Sequence, residues 1–230
     1  LWYQEVNNPE AVFVTGYNTA QGDQQRKNNG YDNATRPAYL GTNGGSNRPT
    51  KELVDAFPMM DGKKRGESTK YTYNEQLFYK NRDPRFYKTI GYNGGLYPTL
   101  GNANYRLWTF LNASNTSVEP SKPTNTGFYL RKAINPTAGQ SDIQWSGTDW
   151  IEIRYAEVLL NLAESAAMSG NPADAITALK EIRERATVEA GVDGNYGLNV
   201  SLTGEDLAKA VLYERQIELA WEGKRFWDLR

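Results

Sequence analysis

Fifteen tyrosines, six tryptophans, and neither histidine nor cysteine set the chemistry open to this 230-residue chain. Without cysteine there is no thiolate nucleophile, no disulfide and no cysteine-ligated zinc. Without histidine, Ser-His-Asp triads, HExxH metal sites and the usual proton shuttle near neutral pH are excluded. Catalysis would have to rest on carboxylates, tyrosine, lysine or a hard metal held through oxygen. Recognition is better served. Twelve of the fifteen tyrosines lie before residue 148, in sequence rich in glycine, asparagine and threonine. A tyrosine there offers a large flat contact, loses little rotamer entropy on binding and carries a hydroxyl at its tip. The competing role at each position is to pin an irregular loop.

The elements that position these rings have two textures. Residues 1–148 are expected to form a loop-rich region with short strands and helices. The strands are predicted at Ala11–Tyr17 and Thr126–Ile134, and helical turns after Thr50 and Asp83-Pro84. Gln21–Asn47 and Tyr92–Asn125 show no period, and segments that long inside a domain are commonly functional. Residues 149–230 are expected to be helical. Asp149 is placed to cap a helix carrying Ile151, Tyr155, Val158, Leu159, Leu162, Ala163 and Ala166. Gly170 then stops it, and Asn171-Pro172 opens a second helix through Ile176, Leu179 and Ile182. Small residues on both stripes (Ala163, Ala166, Ala167, Ala175, Ala178) permit close approach, giving a tetratricopeptide-like hairpin. Thr203 and Asp206 form a capping-box variant for a third helix running through Trp221 to Gly223. Its charged residues Glu214, Arg215, Glu218, Glu222 and Arg225 are expected on a solvated face, with Trp221, Phe226 and Trp227 in the core behind it.

Twenty-six basic residues against 27 acidic leave a net charge of −1, with no general attraction for nucleic acid or an anionic bilayer. No apolar run approaches the roughly 20 residues that span a membrane. A secretory leader is not among these residues.

Six segments, in order, resemble the SusD/RagB family of outer-membrane glycan-binding lipoproteins. They are NNPEAVFVTGY at 7–17, PTKELVDAFPMMDGK at 49–63, YKNRDPRFYKTIGYNG at 79–94, TGFYLRKAI at 126–134, WIEIRYAEVLLNLAES at 150–165 and LYERQIELAWEGKRFWDLR at 212–230. The resemblance implies a mostly α fold with long irregular loops and a few short strands, seen here as the C-terminal portion of a chain more than twice as long. It implies an oligosaccharide or polysaccharide ligand, a SusC-like TonB-dependent transporter as partner, and an extracellular position on the outer membrane. It further implies a nutrient-uptake role, with contact to the membrane only through an N-terminal lipid anchor not in this chain. The DPRF and WDLR motifs read as architectural: Asp83 and Pro84 begin a helix while Arg82 and Arg85 can bind carbonyls or carboxylates.

A pyranose exposes C–H groups on its faces for aromatic rings and hydroxyls at its edge for amides and guanidinium groups. The candidate stacking residues are Tyr17, Tyr31, Tyr39, Tyr92, Tyr105 and Trp108, with Asn18, Arg36 and Asn93 as polar partners. No cofactor is required; a structural Ca²⁺ in the Asn/Asp-rich loops has no ligand spacing behind it. One alternative is a helical scaffold that docks protein without a ligand of its own. Another is a glycoside hydrolase, which needs two carboxyl groups about 5–9.5 Å apart. Glu157 with Glu164 and Glu214 with Glu218 have capping or ion-pair explanations, and nothing pairs Asp23, Asp32 or Asp142. No catalytic residue is expected.

Overall fold

The computed structural model describes residues 1–22, 25–40, 45–109 and 124–230. Along the chain, strand β1 (Ala11–Thr15) precedes helix α1 (Tyr31–Thr35) and a 3₁₀ turn at Ala38–Leu40. Then come α2 (Lys51–Ala56), α3 (Pro84–Thr89), β2 (Ile90–Gly91) and β3 (Tyr129–Leu130). The last elements are α4 (Gln140–Gln144), β4 (Trp150–Arg154), α5 (Tyr155–Met168), α6 (Pro172–Arg185), α7 (Gly204–Glu218) and α8 (Arg225–Asp228). The architecture is mostly helical with a few short strands.

Two compact units divide the chain. One comprises residues 1–51 and 88–152, the other 52–87 and 153–230. Segment 52–87, whose texture groups it with the loops, is thus part of the helical unit. Arg85 binds Glu214 and Glu218 of α7, and the Tyr213 hydroxyl donates to the Ala56 carbonyl at 2.7 Å, which ties the segment to that unit. Within the segment, Arg82 is fully buried. Its guanidinium donates to the carbonyls of Phe78 at 2.7 Å, Val54 at 2.8 Å and Phe57 at 2.6 Å, and so folds α2 and the DPRF turn around one cation.

In the helical unit, α5, α6 and α7 share one apolar core of Leu159, Leu160, Ala163, Ile176, Leu179, Ile182, Leu207 and Val211. The five small residues of the hairpin are all buried. Gly170 closes α5 with a positive φ, and the Asn171 N–H reaches back to the Ala166 carbonyl at 2.9 Å, the pattern of a Schellman stop.

Three expectations are corrected here. Residues 150–154 are strand, not the first turns of α5, because WIEIR alternates and pairs with β1. Asp149 caps no helix; its carboxylate accepts the Tyr17 N–H at 2.8 Å. Secondly, α7 ends at Glu218 and Trp221 sits at a φ of 64°, so Phe226 and Trp227 are carried out to solvent on α8. It is the polar side of α8 that faces inward, through the Asp228–Arg215 pair at 2.7 Å.

The third correction is the largest. Glu214, Arg215, Glu218 and Glu222 are buried rather than solvated. Arg85 binds Asp83 at 2.7 Å, Glu214 at 2.6 Å and Glu218 at 3.0 Å; Arg154 binds Glu218 at 2.8 Å and Glu222 at 2.7 Å; Arg183 binds Glu214 at 2.7 Å. Arg185 also reaches Glu218. Opposite charges thus alternate through the network, which is what makes burial tolerable. Burial raises the Glu214 pKa, but Arg183 and Arg85 outweigh it and hold the carboxyl below its ordinary value.

The loop-rich unit has a smaller core of Leu40, Tyr97, Leu107, Tyr129 and Ile134. β2 and β3 pair antiparallel, Ile90 opposite Leu130 and Gly91 opposite Tyr129. A Cβ at Gly91 would lie 2.9 Å from the Tyr97 ring, so glycine is what lets that ring pack. Tyr97 donates to the Leu130 carbonyl at 2.9 Å, and burial pushes its phenol pKa up. Thr126–Ile134 yields only the two-residue strand β3, since Ala133 turns the chain at a φ of 62°.

Candidate functional site

The segment after Tyr92, unreadable by period, is a tight hairpin. The Gly94 N–H donates to Leu107 at 2.6 Å, Leu107 to Gly95 at 3.0 Å and Tyr97 to Tyr105 at 2.8 Å. Thr99 and Asn102 exchange both backbone bonds around Leu100-Gly101, and these two residues have φ of 50° and 74°. Two positive φ values in a two-residue loop are what a type I′ turn requires, and its twist matches the arms it joins.

The pleat then sorts the side chains. Tyr97 and Leu107 point inward and are completely buried. Leu96, Leu100 and Trp108 are each 44% exposed, and Arg106 is exposed across the bridge from Leu96. Arg106 is steadied by a bond to the Gly94 carbonyl at 2.7 Å. Gly95 lets a ring approach the backbone, with the Tyr92 ring 3.0 Å from a Cβ built there, while the Trp108 ring edge is in ordinary contact with Gly94. Asn93 is exposed and accepts the Thr109 N–H at 2.9 Å, while the Tyr105 hydroxyl donates to that of Tyr39 at 3.2 Å.

Five of the nine expected site residues therefore belong to one hairpin and the 3₁₀ turn beside it: Tyr39, Tyr92, Asn93, Tyr105 and Trp108. The other four are elsewhere. Asn18 organises its own loop, donating to Gln25 at 2.8 Å and accepting from Ala20 and Lys27 at 3.1 Å each. Tyr17 lies half-buried with the Lys27 ammonium 5.3 Å from its ring centre. Tyr31 donates to the Lys132 carbonyl at 3.0 Å and leans on Trp150, which stacks on Trp2 at 5.4 Å.

Arg36 departs from the expectation of a ligand partner. It is fully buried, and its guanidinium binds Asp32, the Thr99 hydroxyl and the Asn135 carbonyl. Its place is behind the hairpin turn, which it braces through Thr99. Leu96 and Arg106 are the surface residues that sequence reading passed over; the alternation of Leu96, Tyr97 and of Arg106, Leu107 is the signal that points to them.

Among the described residues, most of the carboxylates singled out for hydrolysis have structural partners. Glu157 pairs with Lys224 at 2.9 Å, Glu214 and Glu218 are locked between arginines, and Asp142 accepts the Gly139 N–H at 3.1 Å. Asp23 lies outside the described residues. Among the described residues no three carboxylates cluster to hold a metal, and no helix is long and apolar enough to cross a membrane.

The sequence matches the SusD family model over residues 9–230. The chain belongs to the SusD family. Two SusD-like proteins of Formosa agariphila, P2 and P38, are similar to it, 36% identical over 86 residues and 30% identical over 152. Those matches span 37% and 66% of this chain but 17% and 28% of the relatives. Among solved structures, a SusD-like protein of Bacteroides fragilis superposes with a TM-score of 0.72 at 26% identity, covering 99% of this chain and 44% of its own. A SusD-like carbohydrate-binding protein of the same organism gives 0.70 at 28% identity, covering 96% and 41%. The chain thus spans less than half the length of these SusD relatives.

Proposed function

We propose that this chain is part of a cell-surface glycan-binding protein, and that the 92–109 hairpin presents the sugar platform. The observation that carries this reading is the outward row of Leu96, Arg106 and Trp108 on a hairpin whose opposite face is buried. Membership of the SusD family, with a carbohydrate-binding relative at 28% identity, supports it. Trp108 supplies a face for pyranose C–H groups; Arg106, Asn93 and the Tyr39–Tyr105 hydroxyl pair supply edge contacts. Binding of this kind needs no nucleophile, shifted pKa or metal, and the role is non-enzymatic. The reading extends to a lipid-anchored position on the outer membrane and delivery of glycan to a SusC-like TonB-dependent transporter.

Affinity electrophoresis against a broad polysaccharide panel tests it. Trp108→Ala and Arg106→Ala are each expected to weaken retention at least tenfold in protein that still folds. Retention of every bound glycan by a folded Trp108→Ala variant would remove the platform.

A second reading concerns the helical unit. Tyr155, Val158 and Leu162 form an exposed stripe on α5, 43–52% accessible, and Phe226 and Trp227 on α8 are 55% and 69% exposed. Large exposed apolar surface of this kind marks protein contact, and the transporter is the partner proposed. Co-purification that survives Leu162→Glu with Val158→Glu would argue against it.

A further inference from the structure

A cleft of about 370 Å³ in the helical unit has no part in the platform reading. Two glycine loops form its wall. Gly62 and Gly197 both have positive φ, 75° each, and pass so closely that a Cβ on Gly62 would strike the Tyr196 carbonyl and one on Gly197 the Asp61 carbonyl. The buried Arg183 holds the crossing. It donates to the Gly62 oxygen at 3.1 Å and the Tyr196 oxygen at 2.7 Å, and Glu214 fixes its Nε at 2.8 Å. Tyr213 is anchored in turn by its hydroxyl, which donates to the Ala56 carbonyl at 2.7 Å. The cleft is therefore built by tethered parts, and its volume lies in the range of about 300–1,000 Å³ typical of ligand sites.

Its lining has apolar surface from Leu202, Ala210 and the Tyr213 ring, and a cationic side. Arg183 is committed to Glu214, and Lys209 to Glu205 at 3.0 Å with Asp206 at 3.6 Å. Lys63 and Lys64 remain, with Glu67 and Asp206 as the carboxylates of the wall and Asp193 near Lys63. The Lys64 ammonium stands 4.7 Å from the Tyr213 ring centre, and both residues line the cleft.

We propose that this cleft is a second saccharide subsite, one that takes a sugar unit carrying a carboxylate or sulfate ester. The ring rests against Leu202 and Ala210, and the anion meets Lys63 and Lys64 above Tyr213. The proposal rests on the glycan-binding reading but not on the hairpin platform. Apolar wall and ammonium groups together select for a ring with a charge, which neither feature does alone.

Calorimetric titration of the whole chain tests the proposal, with trigalacturonate as the carboxylate probe, a sulfated galactose trisaccharide as the sulfate probe and maltotriose as the neutral one. At least one anionic probe is expected to bind. Its affinity should fall at least tenfold in the Lys63→Met, Lys64→Met double variant and in Ala210→Phe, which fills the cleft without removing charge. It should weaken with added salt. Preference between the two anionic probes assigns carboxylate or sulfate. Binding of neither anionic probe, or less than a tenfold loss in the lysine double variant, overturns the proposal. The lysine variant decides the matter should Ala210→Phe not fold. If Trp108→Ala abolishes all saccharide binding, the cleft fails and the platform stands; if only the lysine variant matters, the platform fails and the cleft stands.

Discussion

The two units use polar side chains in opposite ways. In the helical unit, Arg85, Arg154 and Arg183 lie inside with Asp83, Glu214, Glu218 and Glu222, and each guanidinium joins segments distant in sequence. In the loop-rich unit the interior is mainly rings and aliphatics around Tyr97 and Tyr129, with Arg36 and Asp32 as a buried pair behind the hairpin. Its arginine and asparagine side chains at Arg106 and Asn93 are outside, beside Trp108. A buried charge network fixes geometry at a high cost for any error, which suits a scaffold. A hairpin with one face packed and the other open can change its outer residues without disturbing its fold, which suits recognition.

The largest effect that would break this comparison is in the network. Arg85→Ala leaves Glu214, Glu218 and Asp83 short of a buried cation, and removal of one partner from a buried pair costs about 3–5 kcal/mol. A loss below about 1 kcal/mol in a urea melt would mean that these charges are solvated after all.

Acid sharpens the same contrast. Because the folded Glu214 pKa lies below its ordinary 4.5, the stabilisation is complete above that value and is lost as pH falls through the lower, folded one. The urea midpoint is expected to fall below pH 4.5 in the parent and to lose part of that slope in Glu214→Gln, already weaker at neutral pH. An unchanged slope would take Glu214 out of the acid response.

Within the loop-rich unit, Tyr97→Phe removes one buried hydroxyl bond and leaves the Leu130 carbonyl without it, a change of about 1–2 kcal/mol in a melt. No measurable change would mean that the inner face of the hairpin is less packed than described.

How much of this was legible follows from the range of each interaction. The α5–Gly170–α6 hairpin could be read because its stripe, stop and proline start are local signals, and Arg82 and Arg85 because the DPRF turn limits where they reach. The burial of Glu214, Glu218 and Glu222 could not: their partners Arg85, Arg154 and Arg183 are brought in by tertiary folding, and from α7 alone they look like an ordinary charged face. Residues 150–154 misled because Ile151 fits a helical stripe and a strand equally, and β1, about 140 residues earlier in sequence, decides between them. Tyr92, Asn93, Tyr105 and Trp108 stand in a ring-rich stretch without a period, and the hairpin that gathers them turns on Leu100-Gly101 rather than Asn-Gly, so its turn gives little signal. Arg36 misled for the opposite reason, since nothing near it in sequence announces Thr99 or the Asn135 carbonyl.

The most direct test of the central claim is calorimetry of wild type and folded Trp108→Ala against a neutral glycan that the wild type binds. Both samples must show a cooperative melt, and the affinity of the folded variant is expected to fall at least tenfold. Equal affinity in the two proteins would contradict the claim that this hairpin is where the chain meets its sugar.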